Sequence, residues 1–93
     1  MQKLKPILSI AGSDSSGGAG IQADIKTITT LGGYAASVIT AVTSQNTQGV
    51  QGIHDIPLSV IKSQIKSVID DIDVRVIKTC LLYTSPSPRD QVV

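Results

Sequence analysis

Apolar residues recur along this chain with two different periods, and each change of period marks the boundary of an element. Ile7-Leu8-Ser9-Ile10-Ala11 is a short, branched apolar run halted by Gly12, the pattern of a strand buried on both faces. Ser13 to Gly20 is a loop of small residues. From about Gly18, Ile21, Ile25, Ile28 and Leu31 recur at helical spacing while Gln22, Lys26, Thr29 and Thr30 face away, and Gly32-Gly33 closes that helix.

Ala36 to Thr43 carries neither charge nor proline and is rich in Val, Ile, Thr and Ala, which predicts a second buried strand. Gln45 to Gly49 reads as a polar loop, and Val50 to Ile56 as a short third strand ending at Pro57. Pro57 suits a first helical turn, after which Leu58, Ile61, Ile65, Val68 and Ile72 mark one apolar face. Val74 to Thr79 reads as a fourth strand. Strands alternating with helices predict an open α/β sheet, mostly parallel. Beyond Thr79, Leu81-Leu82-Tyr83 runs into a segment with Pro86 and Pro88 and no apolar period, so the sheet is expected to stop there. A parallel sheet cut at that point leaves an unpaired edge, and truncation is the expectation.

Composition narrows the partners. The 93 residues suffice for one modest domain, and 41% hydrophobic against 16% charged residues places the chain in the globular class. The net charge of +1 is scattered, and two tyrosines are the whole aromatic content, so neither nucleic acid nor an anionic membrane is the expected partner. A small metabolite is. Cys80 has no cysteine to pair with, and no cysteine–histidine cluster has metal-ligand spacing, which fits a reducing, cytoplasmic setting. Ile7 to Ile10 is too short an apolar run for a signal segment or a membrane span.

The candidate chemistry lies in Gly12-Ser13-Asp14-Ser15-Ser16-Gly17-Gly18-Ala19-Gly20. Between a strand and a helix, backbone N–H groups and the positive helix end face a polar ligand; the competing reading is a loop that only turns the chain. Gly12 and Gly17 match the glycines of a P-loop, but Gly18-Ala19 stands where a lysine and a hydroxyl residue are needed. Gly18 to Ala23 also fits the dinucleotide pattern G-x-G-x-x-A, yet no acidic residue closes the second strand. Asp24 falls about 60° from Ile21 and about 40° from Ile28 around the helix, at the rim of the apolar stripe, where a carboxylate is partly buried. By itself it reads first as a favourable charge near a helix N-terminus, and Gln45 reads equally as a solvated loop residue.

Other reactive side chains carry less. His54 has no carboxylate or nucleophile at a suggestive spacing, and Asp70, Asp71 and Asp73 read as a solvated helix end rather than a metal cluster. Ser13, Ser15 and Ser16 do not form a nucleophile elbow, and nothing near Cys80 argues for a reactive thiol. No catalytic residue and no metal ligand is assigned.

The run from Ala11 to Thr27, followed by Ser37 to Thr47 and Gly49-Val50, closely resembles the N-terminal signature of hydroxymethylpyrimidine/phosphomethylpyrimidine kinases. The resemblance implies the N-terminal part of a ribokinase-like, three-layer α/β/α sandwich. It implies ATP- and Mg2+-dependent phosphorylation of 4-amino-5-hydroxymethyl-2-methylpyrimidine and of its monophosphate, and a homodimer in the intact parent. It places the pyrimidine against Gly12, Asp24 and Gln45, with Asp24 and Gln45 bonding the ring nitrogens and exocyclic amine. An amide paired with a carboxylate satisfies the mixed donors and acceptors of such a ring edge.

Lys78-Thr79-Cys80-Leu81-Leu82 falls where relatives read Lys-Thr-Gly-Met-Leu, and Tyr83 onward resembles no part of the family. Residues 1–82 are therefore read as kinase domain and residues 83–93 as an artefactual tail. The later glycine-rich anion hole of the family has no counterpart, so the chain alone is expected to lack kinase activity. Three alternatives stand beside this reading: a pyridoxine or pyridoxal kinase of the same fold, a non-catalytic dinucleotide or metabolite module using Gly18 to Ala23, and an incomplete domain that binds nothing.

Overall fold

In the computed structural model, which describes residues 5–79, the elements run β1 (Pro6–Asp14), α1 (Gly20–Thr30), β2 (Tyr34–Asn46), β3 (Gly49–Asp55), α2 (Leu58–Asp71) and β4 (Val76–Thr79). The four strands form one sheet in the order β3-β2-β1-β4. β1 pairs in parallel with both β2 and β4, while β2 and β3 form an antiparallel hairpin. The apolar run of β1 thus occupies the sheet interior, where the absence of charge on its inner residues is required.

Side-chain alternation divides β1 between two layers. Leu8, with Ala36 and Val38 of β2, faces Ile61, Ile65 and Val68 of α2. Leu8 and Val38 are fully buried, and burial of such a side chain contributes about 1.5–3 kcal/mol. Ser9 points to the opposite face and meets Asp24 of α1. A helix therefore covers each face of the sheet, giving the three layers expected.

Local chemistry explains the element ends. α1 terminates where Gly32 N–H bonds the Thr29 carbonyl and Gly33 N–H the Ile28 carbonyl, with Gly32 at φ +87°; this paired pattern satisfies helix-end carbonyls and needs a left-handed residue. Past the end of its pairing with β3, β2 offers an unpaired backbone at Ile39. The Gln64 carboxamide of α2 fills it, accepting from Ile39 N–H and donating to the Ile39 carbonyl, both at 2.9 Å.

Several boundaries differ from the sequence expectations. β1 continues past Gly12 to Asp14, and α1 begins at Gly20 rather than near Gly18, which shortens the small-residue loop. The expected polar loop Gln45 to Gly49 contracts to a turn, because β2 runs to Asn46, whose Oδ1 accepts from Gln48 N–H. Leu31 is 81% exposed at the C-cap of α1 instead of packing. Pro57 is the N-cap of α2, and Leu58 is 65% exposed. The last strand starts at Val76, since Val74 N–H is turned back onto the Ile72 carbonyl. Cys80 and the segment after it lie outside the described residues.

Candidate functional site

At the C-terminal ends of the two central parallel strands, β1 and β2, the sheet opens into a cavity of about 610 Å³. Its walls are the end of β1, the start of α1, the β2–β3 hairpin and the first turn of α2. This is where open α/β sheets hold ligands. Opposite Gly12 the pairing of β1 with β2 slips: Ala11 faces Ile39 but Ser13 faces Val42. Pairing resumes at Ser13 and Asp14, so the irregularity is a local bulge in the ladder beside the cavity, a place where such bulges are common.

Each polar residue of the β1–α1 loop is held by another. Asp14 is 4% exposed; its Oδ1 accepts from the Ser16 N–H at 2.8 Å and the Ser16 hydroxyl at 2.7 Å, and its Oδ2 from Gly18 N–H at 3.1 Å. The Ser16 hydroxyl holds this carboxyl below the usual carboxylate range; burial opposes it, and the loop N–H groups reinforce it. Gln22, on the first turn of α1, reaches back to the strand. Its Oε1 accepts from Asp14 N–H and its Nε2 donates to the Ser13 hydroxyl, both at 2.8 Å.

The loop is also clipped to β2. The Ser15 hydroxyl donates to the Gln45 carbonyl at 2.6 Å and accepts from Gln45 N–H at 2.7 Å. The Thr43 hydroxyl, on a residue 5% exposed, donates to the Ser13 carbonyl at 2.8 Å and lies 3.1 Å from Oε1 of Gln45. Gly20 fits against the strand so closely that a Cβ there would overlap the Gly12 carbonyl, and its φ of +61° independently favours glycine.

Of the three residues the sequence resemblance singles out, Gly12 and Gln45 line the cavity. Asp24 does not. Its carboxylate accepts from the Ser9 hydroxyl at 2.6 Å and from the Lys78 ammonium at 2.8 Å, tying α1 to β1 and β4. Partial burial pushes this carboxyl up, but the hydrogen bonds from Lys78 and Ser9 and the charge of Lys78 outweigh it and leave it lowered. Sequence reasoning missed Thr43 and Asp14 as wall residues. Their signal was available: Asp14 closely follows the first apolar run, with Ser16 and Gly18 in reach of an Asx-type turn, and Thr43 closes the uncharged run that predicts the second strand. Among the described residues no group of three His, Cys, Asp or Glu side chains stands close enough to hold a metal ion.

A family model described as phosphomethylpyrimidine kinase matches residues 14–88. The hydroxymethylpyrimidine/phosphomethylpyrimidine kinase of Mycobacterium leprae is 57% identical over 79 residues, covering 85% of this chain and 28% of that protein. The crystal structure of a phosphomethylpyrimidine kinase from Clostridium difficile 630 superposes with a TM-score of 0.82 at 52% identity, over 86% of this chain and 35% of that one. A pyridoxal kinase from Staphylococcus aureus in complex with pyridoxal gives a TM-score of 0.79 at 36% identity, over 89% and 31%. The chain therefore spans about a third or less of the length of each of these relatives.

Proposed function

The chain belongs to the phosphomethylpyrimidine kinase family, and from that membership we propose that it carries the substrate-recognition part of an ATP-dependent kinase of thiamine biosynthesis. The substrate is 4-amino-5-hydroxymethyl-2-methylpyrimidine, followed by its monophosphate, and the setting is cytoplasmic. The observation that carries this reading is the cavity at the ends of β1 and β2, where Gly12 offers backbone and Gln45 a carboxamide beside apolar wall residues such as Ile10, Val50 and Ile61. A flat heterocycle needs such a pair of apolar surfaces with a few polar groups at its edge.

Asp24, which the resemblance assigns to the pyrimidine, does not line the cavity and ties α1 to β1 and β4 through Ser9 and Lys78, so it enters this proposal as a positioning residue. ATP and Mg2+ belong to the reading through the family; the described residues contain no lysine-bearing phosphate loop and no carboxylate cluster to hold them. The pyridoxal kinase alternative rests on lower identity, 36% against 52% for the pyrimidine kinase structure.

Isothermal titration of the purified 93-residue chain with the pyrimidine alcohol tests the reading. Saturable binding, weakened about tenfold by Gln45→Ala, is expected, the loss corresponding to one hydrogen bond. A folded chain that takes up no pyrimidine would sink the proposal. With Mg-ATP added, the chain alone is expected to form no phosphorylated product, and turnover would overturn the assignment of recognition only.

A further inference from the structure

Thr43 faces two oxygens with one proton. Its hydroxyl lies 2.8 Å from the Ser13 carbonyl and 3.1 Å from Oε1 of Gln45. A hydroxyl donates once and accepts twice, and Thr43 is only 5% exposed, which leaves solvent little access to relieve a clash of lone pairs. The Ser13 carbonyl belongs to β1 and cannot turn. The Gln45 carboxamide can, exchanging oxygen for nitrogen with almost no change of shape. The arrangement that satisfies all three groups has Thr43 donating to Ser13 and accepting from Nε2 of Gln45.

We infer that Thr43 is a specificity-determining residue: by fixing the Gln45 carboxamide with its nitrogen toward Thr43, it leaves Oε1 as the free acceptor on the cavity wall, selecting a ring that bears a donor such as an exocyclic amine. The opposite orientation commits Oε1 to Thr43 and leaves only N–H donors, which suit a ring oxygen substituent, as on a pyridoxine-type ligand. The Ser15 hydroxyl, bonded to both N–H and carbonyl of Gln45, holds the backbone in place, and the two orientations differ by a half-turn of the terminal torsion. Selection against a mismatched edge arises because a desolvated polar group is then left unpaired. The inference rests on the proposed pyrimidine reading for its ligand, and on Thr43 geometry alone for the orientation.

Two measurements separate those layers. In the ligand-free 93-residue chain, nuclear Overhauser contacts between the Gln45 side-chain amide protons and the Thr43 Cβ and methyl protons are expected; amide protons distant from Thr43 overturn the inference whether or not anything binds. Titrations then compare the aminopyrimidine alcohol with pyridoxine in the parent chain, Thr43→Ser and Thr43→Val. Thr43→Ser should keep the preference for the amine, and Thr43→Val should reduce it on the order of tenfold, one hydrogen bond's worth. An unchanged preference in folded Thr43→Val refutes the role. A parent chain that binds neither ring refutes the pyrimidine reading instead, and the amide contacts then decide Thr43 by themselves.

Discussion

Gly20→Ala is expected to be among the most damaging single-methyl changes in this chain, and the structure separates its two causes. The first is conformational: Gly20 sits at φ +61°, where a residue with a Cβ pays about 1–2 kcal/mol. The second is steric: the new methyl overlaps the carbonyl of Gly12, which lies in the buried end of β1 and moves only with the strand. Forcing a methyl into packed surroundings typically costs a further 1–3 kcal/mol or so, for a sum of about 2–5 kcal/mol. Gly32→Ala supplies the control, since Gly32 has φ +87° but nothing within 4 Å of an added Cβ. It carries only the first cost, and in both variants a stiffer unfolded chain offsets about 0.4–1 kcal/mol. Urea unfolding followed by far-UV circular dichroism reads both. With a slope near 1 kcal/mol/M for a small domain, the conformational cost and the offset cancel between the two variants, and Gly20→Ala should unfold at a midpoint about 1–3 M below that of Gly32→Ala. Coincident midpoints would refute the close approach of α1 to Gly12.

Three further outcomes follow from side chains tied across elements. Lys78→Met removes the charge that offsets the burial of Asp24, so its carboxyl should titrate higher, read from its 13C shift; the stability lost should be about 1 kcal/mol, because Lys78 is half exposed and water screens the pair. Asp14 has a folded-state value below its ordinary 3.8, so its contribution is complete above the unfolded value and is lost as pH falls through the lower folded one; the Ser16 and Gly18 amide resonances should move together in that acid range, and Asp14→Asn should shift both at neutral pH. Gln64→Leu leaves Ile39 N–H and carbonyl without partners at a cost of about 1–3 kcal/mol, and the Ile39 amide should exchange faster; unchanged exchange would count against the carboxamide's role.

The elements were legible because burial imposes period. Ile7 to Ala11 and Ala36 to Thr43 are the helix-covered stretches of β1 and β2 and carry no charge, so their composition announces them. Ile61, Ile65 and Val68 face the sheet as the helical spacing predicts. The misplaced ends share a cause. Ser13, Asp14, Ser44, Gln45 and Asn46 are polar, and polarity reads as loop; yet their backbones continue the β1–β2 and β2–β3 ladders, and the hydrogen bonds that decide this are non-local. Leu31 and Leu58 fail in the opposite direction, since period alone places them on an apolar face although each stands at a helix end, beyond the sheet it would cover.

The candidate site was harder to read for a related reason. A polar side chain acts on a ligand only with donors or acceptors its neighbours have not already engaged, and sequence does not show what engages them. Asp24 has the right type and the right position on α1, but Ser9 and Lys78, which pair with each other across β1 and β4, both converge on it. Asp14 lines the cavity with a carboxylate, yet Ser16 and Gly18 already donate three hydrogen bonds to it and hold it to the loop. Gln45 differs because its backbone is held by Ser15 while its carboxamide meets one hydroxyl, leaving an atom of that amide toward the cavity. If Gln45 reads the ring edge as proposed, selectivity rests less on the residue types along the glycine-rich loop than on which hydrogen-bonding atoms the packing leaves free, and the Thr43 hydroxyl beside the Gln45 carboxamide is the group that would make that choice.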